Sequence, residues 1–232
     1  MSDTPSILLA GASRGLGLAI SEEFAKRGWS VVGTVRGGAR TGLHDLAGHY
    51  PDRIEIEQLD ITDTAQIEAL RARLSARRFD IVFVNAGTAN RDRDETAGSV
   101  ATEEFVRLMV TNALAPLRVI EGLEDLVTPD GLIGIMSSGM GSVANNQTGG
   151  FEVYRGTKAA VNMYMRSYAA RHKEDGRALL LLAPGWIRTE LGGPDAPFSL
   201  EETVPAIVDT IVAKRGRPGL EYLDRMGATV PW

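Results

Sequence analysis

The chain has 232 residues, 44% of them apolar, and its 25 Lys and Arg against 30 Asp and Glu give a formal net charge of −5. This acidic balance argues against nucleic acid or an anionic membrane surface as a partner. With no cysteine and only 3 scattered histidines, the composition excludes disulfides, thiolate catalysis and Cys-rich zinc sites, and we expect no metal site.

Short β-rich runs alternate with longer amphipathic stretches along the chain. The expected strands are residues 6–10, 30–35, 54–59, 80–84, 131–136 and 178–183, and the expected helices are residues 16–27, 64–77, 102–126 and 154–172. Strands rich in Val, Ile and Leu without strict alternation indicate a parallel sheet buried on both faces. The pattern predicts an α/β protein, a single Rossmann-like domain over residues 1–232, with a doubly wound parallel sheet and helices on both faces.

Neither a membrane span nor an export signal is expected. The longest purely apolar run, residues 178–183, is about a third of the length that spans a bilayer. The N-terminus has Asp3 and no Lys or Arg before its short apolar stretch, unlike a signal peptide. We therefore expect a soluble, cytoplasmic protein.

A glycine turn, Gly11-Ala-Ser-Arg-Gly15-Leu-Gly17, separates the first strand from the first helix. Glycines at such a junction allow a tight turn and the close approach of a pyrophosphate, and the helix N-terminus offers free N–H groups to the anion. The G-x3-G-x-G spacing differs from the commoner dinucleotide fingerprint and lacks the Gly-Lys-Ser/Thr ending of a P-loop. An ordinary glycine turn entering a helix remains the alternative.

The end of the second strand predicts the preferred cofactor. Sites that prefer NAD place Asp or Glu there, whereas this segment runs Val31-Val-Gly-Thr-Val-Arg36 and has no carboxylate. The planar fork of Arg36 suits a 2′-phosphate, with Arg14 of the glycine turn approaching the same pocket. Arg40 is a spare candidate, and the alternative is that Arg36 merely faces solvent.

Two irregular stretches follow predicted strands and are expected near the ligand face. Residues 88–99 are crowded with charges, and an ordinary solvated loop explains them equally well. Residues 185–200 are rich in Gly and Pro, and we expect a substrate loop that orders when ligands bind. Its Trp186, Leu191 and Phe198 are candidates for an apolar pocket wall, or for the core.

Tyr154 and Lys158 are four residues apart and share a face of one expected helix. A free tyrosine titrates near pH 10, too high for efficient proton exchange at pH 7, and a nearby ammonium favours the phenolate. The pair therefore suits acid–base chemistry, although helix surfaces often carry such a pair without function.

Further motifs in a fixed order complete the pattern. They are Leu59-Asp-Ile-Thr62, Asn85-Ala-Gly87, Asn112, Ser138, Tyr154-x3-Lys158 and Pro184-Gly185. With the glycine turn, they make the chain resemble the short-chain dehydrogenase/reductases over nearly its whole length. Met136-Ser-Ser-Gly-Met-Gly-Ser142, the segment from Pro184 to Gly193 and Pro231-Trp232 look like the C-factor/Sniffer subgroup, which contains carbonyl reductases and a protein known for intercellular signalling.

The resemblance implies four catalytic residues. Tyr154 is the general acid in reduction and the general base in oxidation, while Lys158 lowers its pKa and holds the nicotinamide ribose. Ser138 orients the substrate oxygen, and Asn112 perturbs its helix and helps to hold a water that links Lys158 to solvent. Ser137 and Ser142 are rivals of Ser138 by composition, and the family's S-x-x-G pattern selects Ser138-Gly-Met-Gly141. The spacing from Ser138 to Tyr154 is a few residues longer than in many members. The extra residues, 145–150, are substrate-side material or a polar turn.

The resemblance and the charge argument together predict a set of cofactor contacts. They are Gly11, Ser13, Arg14, Gly15, Leu16, Gly17, Arg36, Asp60, Ile61, Asn85, Ala86, Gly87, Tyr154, Lys158, Pro184, Gly185, Trp186, Ile187 and Thr189.

The sequence thus predicts an oxidoreductase that exchanges hydride between NADP(H), with NAD(H) possible, and a small carbonyl or alcohol. The family often dimerises through long helices, so we expect a homo-oligomer, a dimer or a tetramer. An epimerase or dehydratase on the same fold is a second interpretation, although such enzymes usually have an additional C-terminal lobe. The non-enzyme alternative is a dinucleotide-binding signalling or regulatory protein with little turnover.

Overall fold

The computed structural model describes residues 4–90, 92 and 94–232, and a seven-stranded parallel sheet forms its centre. The strands are β1 (Ser6–Ala10), β2 (Ser30–Val35), β3 (Ile54–Gln58), β4 (Phe79–Val84), β5 (Val127–Met136), β6 (Ala178–Ala183) and β7 (Gly219–Asp224). Their order is β3-β2-β1-β4-β5-β6-β7, and every neighbouring pair is parallel. The expected doubly wound, Rossmann-like α/β fold is confirmed.

Helices cover both faces of this sheet. On one face lie α1 (Gly15–Lys26), α2 (Gly42–His49) and α7 (Leu200–Lys214); on the other lie α3 (Thr64–Arg73), α4 (Thr102–Met109), α5 (Ala115–Leu123) and α6 (Glu152–Arg171). Successive residues of β1 enter opposite cores, since Ile7 packs with the first group and Leu8 with the second. Double burial explains why the strands are continuously apolar.

The expected helix over residues 102–126 is interrupted. A π-helical turn, Val110–Leu114, joins α4 to α5, and a 3₁₀ turn, Glu124–Leu126, follows α5. Asn112 lies within the π turn, which agrees with the expected local perturbation. Single π turns inside α-helices occur frequently at functional sites.

Three elements were absent from the sequence-based prediction: α2, α7 and β7. The capping box of α2 pairs Thr41 with His44, instead of the Glu or Gln that usually marks a helix start. Helix α7 has a regular capping box, Ser199 with Glu202, but Pro205 lies inside it and obscures the helical pattern. Strand β7 carries Glu221 near its centre, which interrupts the run of apolar residues.

Other boundaries moved by a few residues. The first helix begins at Gly15 instead of residue 16, and α3 ends at Arg73 instead of residue 77. Strand β5 begins at Val127, four residues before the expected 131. Its pairing with β4 shifts register between Phe79 and Ile81, which accommodates the intervening residues 128–131.

Candidate functional site

The candidate site lies where the carboxyl ends of β1, β4, β5 and β6 meet. Strand β1 pairs with β2 on one side and with β4 on the other. The chain therefore leaves β1 toward one edge of the sheet and builds the rest of the strands, from β4 on, toward the other edge. A crevice opens at such a switch point and is the usual ligand site of an open α/β sheet. The glycine turn, the loop after β4, the serine turn after β5 and the loop after β6 all border it.

The glycines of the turn are required by its own packing. Gly11 has φ +90°, and a Cβ there would lie 2.7 Å from the Cβ of Ala86. A Cβ on Gly17 would lie 2.0 Å from the carbonyl oxygen of Gly11, which also accepts a 2.9 Å hydrogen bond from Asn85 Nδ2. Asn85 and Ala86 therefore hold the turn against the end of β4.

The start of α1 is arranged to receive an anion. The helix begins at Gly15, has no acidic residue in its first turn, and receives no side-chain cap from its N-cap residue, Arg14. The N–H groups and partial positive charge of a helix start attract phosphate. Ser13, Gly15 and Leu16, expected as cofactor contacts, lie in this turn, which leads the chain from β1 into the helix.

The three candidate arginines have different surroundings. Arg36 is exposed directly after β2, and side chains at the neighbouring Gly37 and Gly38 would meet open space. Arg40, the spare candidate, donates from Nε and Nη2 to Asp45 Oδ1 at 3.0 and 2.6 Å. Arg14 forms a 2.6 Å ion pair with Glu190 of the loop after β6, and both side chains are 72% exposed. Arg14 and Arg40 thus pair with carboxylates, whereas Arg36 lies in an exposed, glycine-rich turn.

Asp60 and Ile61 follow β3. The Oδ1 of Asp60 accepts from the backbone N and the hydroxyl of Thr62, at 2.9 and 2.7 Å. Ile61 is buried in the core, so it can offer a ligand only its backbone. Asp60 therefore stabilises the loop after β3 through its hydrogen bonds to Thr62, and Ile61 anchors the loop in the core.

Lys158 is the most unusual ionisable group of the site. It is 5% exposed, its Nζ donates to the carbonyl oxygen of Met136 at 2.9 Å, and it lies 5.7 Å from the centroid of the Tyr154 ring. Burial lowers the pKa of Lys158 to about 8. The expected Tyr–Lys pair is therefore brought together on α6.

Asn112 connects the loop after β4 to α6. Its Oδ1 accepts from Thr88 N at 2.9 Å, and its Nδ2 donates to Thr88 O at 2.8 Å and to Thr157 Oγ1 at 3.0 Å. A Cβ on Gly87 would lie 3.4 Å from Asn112 Oδ1 and 3.6 Å from Lys158 Nζ. Gly87 therefore lies next to both the Asn112 amide and the Lys158 ammonium.

Ser138 is the only one of the three candidate serines that is not buried. Ser137 is 2% exposed and donates to Asn162 Oδ1 at 2.6 Å, while Ser142 is 1% exposed and accepts from Asn145 N at 3.1 Å. Ser138 is half-buried and accepts from Met140 N at 3.1 Å. The geometry supports the choice of Ser138 over its rivals.

The entry into α6 is a tight polar turn. Gly149, Gly150 and Phe151 all have positive φ, at +66°, +70° and +51°. Arg155 donates to the carbonyl oxygens of Gly150 and Gly149, at 2.8 and 3.0 Å. A phenylalanine with left-handed backbone angles is strained. The turn of Gly149, Gly150 and Phe151 fixes where α6, the helix that carries Tyr154, begins. The inserted residues 145–150 form a polar turn, and their substrate-side position stays a prediction.

The loop over residues 185–200 is internally bonded. After Pro184 and Gly185 (φ +94°), Ile187 is buried and bridges to Phe198. Trp186 Nε1 donates to Gly192 O at 2.8 Å, and Gly192 N donates to Thr189 Oγ1 at 3.0 Å. A Cβ on Gly15 would lie 3.8 Å from Thr189, so the loop passes over the glycine turn.

Two of the three candidate wall residues are exposed. Trp186 and Leu191 are each 46% exposed, while Phe198 is half-buried beneath Arg225, whose guanidinium lies 4.0 Å from the ring centroid. The other irregular stretch, residues 88–99, contains no helix or strand where it is described, and its Arg91 and Arg93 lie outside the described residues.

The sequence reasoning missed two residues that contact the serine turn. Asn162 donates to Gly141 O at 3.2 Å, and the hydroxyl of Tyr222 donates to the carbonyl oxygen of Ser138. The signal for Asn162 is its position one helical turn after Lys158. Tyr222 lies 84 residues from Ser138 and has no local signal.

The described residues contain neither a group of three or more His, Asp or Glu that could hold a metal nor a helix able to cross a membrane. The site does fit a dinucleotide. Side chains at Gly11 and Gly17 would clash with the neighbouring backbone and Ala86, an exposed arginine follows β2, and a buried lysine lies beside Gly87.

The chain is similar to a family model, to solved structures of oxidoreductases with bound NADP and to C-signal. A family model described as enoyl-(acyl carrier protein) reductase matches residues 11–216. A Burkholderia multivorans chain, described as a short-chain dehydrogenase/reductase with bound NADP, is 63% identical with TM-score 0.98, covering 99% of this chain and 100% of that one. A Pseudomonas aeruginosa carbonyl reductase in complex with NADP is 33% identical with TM-score 0.91, with the same coverage. C-signal of Myxococcus xanthus is 33% identical over 66% of this chain and 92% of its own length.

Proposed function

The chain belongs to the short-chain dehydrogenase/reductase family of oxidoreductases, and on that premise we propose that it exchanges hydride between NADP(H) and a small carbonyl or alcohol. The observation that carries the proposal is the pairing of Tyr154 with the buried Lys158 on α6, together with a half-buried Ser138 in the turn after β5. Acid, cation and orienting hydroxyl thus border one crevice.

In this proposal NADP(H), when bound, supplies or accepts the hydride. Tyr154 donates its phenolic proton to the substrate oxygen in reduction and takes it back in oxidation. Ser138 donates a hydrogen bond to the same oxygen and fixes its orientation. Since the Oγ of Ser138 accepts its one described bond from Met140 N, its hydroxyl proton is available for the substrate.

Lys158 has two functions in the proposal. As an ammonium it favours the phenolate of Tyr154 and so brings the tyrosine closer to operating pH. It also donates to the hydroxyls of the nicotinamide ribose. Both functions require the protonated form, and the lowered pKa of about 8 leaves Lys158 mostly protonated at neutral pH.

Preference for NADP(H) over NAD(H) is argued from charge. Arg36 follows β2 with open space beside it, and no carboxylate lies in the segment from Val31 to Arg40. Arg14 and Arg36 are the candidate partners of the 2′-phosphate. The NADP bound in the Burkholderia and Pseudomonas structures supports the choice.

Homo-oligomer formation is also proposed, as a dimer or a tetramer. Exposed apolar side chains lie on α4 and α6, with Phe105 at 42%, Val106 at 50%, Met163 at 60% and Tyr164 at 44% exposure. The segment over residues 102–126, which contains α4, and helix α6 are the expected contact surfaces. Light scattering on the purified protein measures the state directly, and a monomer at micromolar concentration would contradict it.

Similarity to C-signal favours one alternative, a signalling protein that binds dinucleotide without turnover. The experiment that separates the two is a panel of aldehydes, ketones and alcohols assayed with NADP(H) and with NAD(H), alongside calorimetric titration of each cofactor. Substrate-dependent oxidation of NADPH supports the enzyme. Stoichiometric NADPH binding with no turnover across the panel supports the signalling protein and contradicts the proposal.

A further inference from the structure

The turn that carries Ser138 is held by side chains from α6. Lys158 donates to the carbonyl oxygen of Met136, at the start of the turn. One helical turn later, Asn162 accepts from Ser137 Oγ at 2.6 Å and donates to Gly141 O at 3.2 Å. Tyr154, Lys158 and Asn162 are spaced at i, i+4 and i+8, so they form one stripe along α6.

A side chain of β7 also contacts the turn that carries Ser138. The Tyr222 hydroxyl donates to the carbonyl oxygen of Ser138 itself. Tyr222 is 1% exposed, and burial raises its pKa above the usual range, so the hydroxyl keeps its proton. The chain folds back along β7, where Val230 N donates to Tyr222 O at 2.8 Å, and the ring of Trp232 lies 5.3 Å from that of Tyr222.

The packing leaves the turn little freedom. A Cβ on Gly141 would lie 2.9 Å from Asn162 Nδ2 and 3.0 Å from the Cβ of Lys158. Ser137 and Asn162 are buried, at 2% and 3% exposure. Because an unmade hydrogen bond in such a place is costly, the polar groups here favour a single arrangement of the turn.

We propose that Tyr222 and Asn162 are positioning residues for Ser138, an inference that rests on the proposed function. Neither touches the substrate in this account. Tyr222 fixes the carbonyl of Ser138, Asn162 fixes the residues on both sides, and together they set the backbone angles that direct the Ser138 hydroxyl toward the crevice. Small displacements of an orienting group are enough to reduce rate strongly.

The test removes one hydroxyl with Tyr222→Phe, an isosteric change. The expected result is a loss of kcat of between about tenfold and about a hundredfold, with the NADPH Kd and the apparent pKa of the kcat–pH profile unchanged. The matched control is Tyr168→Phe, which removes another buried, hydrogen-bonded tyrosine hydroxyl that donates to Glu124, away from the serine turn. The control should leave kcat unchanged.

A double-mutant cycle separates positioning from general stability. If Tyr222 acts through Ser138, adding Tyr222→Phe to Ser138→Ala should cost no further kcat. Asn162→Ala should behave in the same way. Hydrogen exchange supplies a readout independent of turnover, since the amides of Met140, Gly141 and Ser142 should exchange faster in Tyr222→Phe than in Tyr168→Phe.

The outcomes separate the positioning role of Tyr222 and Asn162 from the proposed function. Turnover that falls with Ser138→Ala but is unchanged in Tyr222→Phe overturns the positioning inference alone. An additive loss in the double variant, or turn amides that exchange as in the control, also overturns it. Turnover unaffected by Ser138→Ala overturns the proposed role of Ser138, and NADPH binding without turnover overturns the proposed function; the inference falls with either.

Discussion

Burial of Lys158 makes the stability of this protein depend on pH in a defined direction. The pKa of Lys158 falls from 10.5 to about 8 in the folded chain because burial disfavours its charge. The unfolded state therefore binds the proton more tightly, and the free energy of unfolding rises as pH increases from about 8 to about 10.5. Below pH 8 the charged lysine costs the fold about 3 kcal/mol, from roughly 2.5 pKa units.

The perturbation that isolates this effect is Lys158→Met, which keeps the length of the side chain and removes its charge. The variant also leaves the carbonyl of Met136 without the 2.9 Å bond from Nζ, a loss of roughly 1–3 kcal/mol that does not depend on pH. The difference in unfolding free energy between the unsubstituted protein and the variant should therefore shift by about 2 kcal/mol, in favour of the former, between pH 7 and pH 9.5.

Urea denaturation of both proteins at several pH values between 7 and 9.5 measures this shift. Lys173→Met is the matched control, because it removes the charge of an exposed lysine (76% side-chain exposure). A difference that stays constant over this range, or that moves in favour of Lys158→Met as pH rises, would refute the reasoning that the lysine is buried at an electrostatic cost.

Three further predictions concern cofactor binding. NADPH should bind at least about tenfold tighter than NADH, or ~1.4 kcal/mol, with the preference weakening in high salt and largely lost in Arg36→Ala; equal dissociation constants in the unsubstituted protein would contradict this. Glu190→Gln should release Arg14 and raise NADPH affinity by up to about fivefold, since an exposed ion pair is worth at most ~1 kcal/mol, with NADH affinity as the control; weaker NADPH binding would show that the pair holds the loop closed over the cofactor instead. Amide exchange over residues 185–200 should slow when cofactor and product saturate the protein, and an unchanged exchange pattern would contradict the expected ordering of this substrate loop.

The sequence predicted the parts of the fold and site that depend on local spacing. The glycine turn, the Tyr154–Lys158 pair and the six strands from β1 to β6 have patterns of adjacent or helically spaced residues. The structure contains each of them, with β5 beginning four residues earlier than expected. Asn112 was anticipated as a helix perturbation, and it lies in a π turn.

What the sequence could not provide depends on distant contacts. The bond from Tyr222 to Ser138 spans 84 residues, and the pairing of Arg14 with Glu190 joins two loops. Helix α7 was missed because Pro205 lies inside it, although its capping box is regular. The order of the loop over residues 185–200 comes from backbone bonds and from the Trp186 and Arg188 side chains, which composition alone does not predict.

The most direct test of the central claim is NADPH-dependent turnover of Tyr154→Phe, at saturating substrate, for a carbonyl that the unsubstituted protein reduces. The account predicts that the variant folds and binds NADPH with an unchanged Kd, while kcat falls by roughly 10²–10⁴ because only the transferable proton is lost. Turnover close to that of the unsubstituted protein would contradict the assignment of Tyr154 as the proton donor, and with it the proposed mechanism.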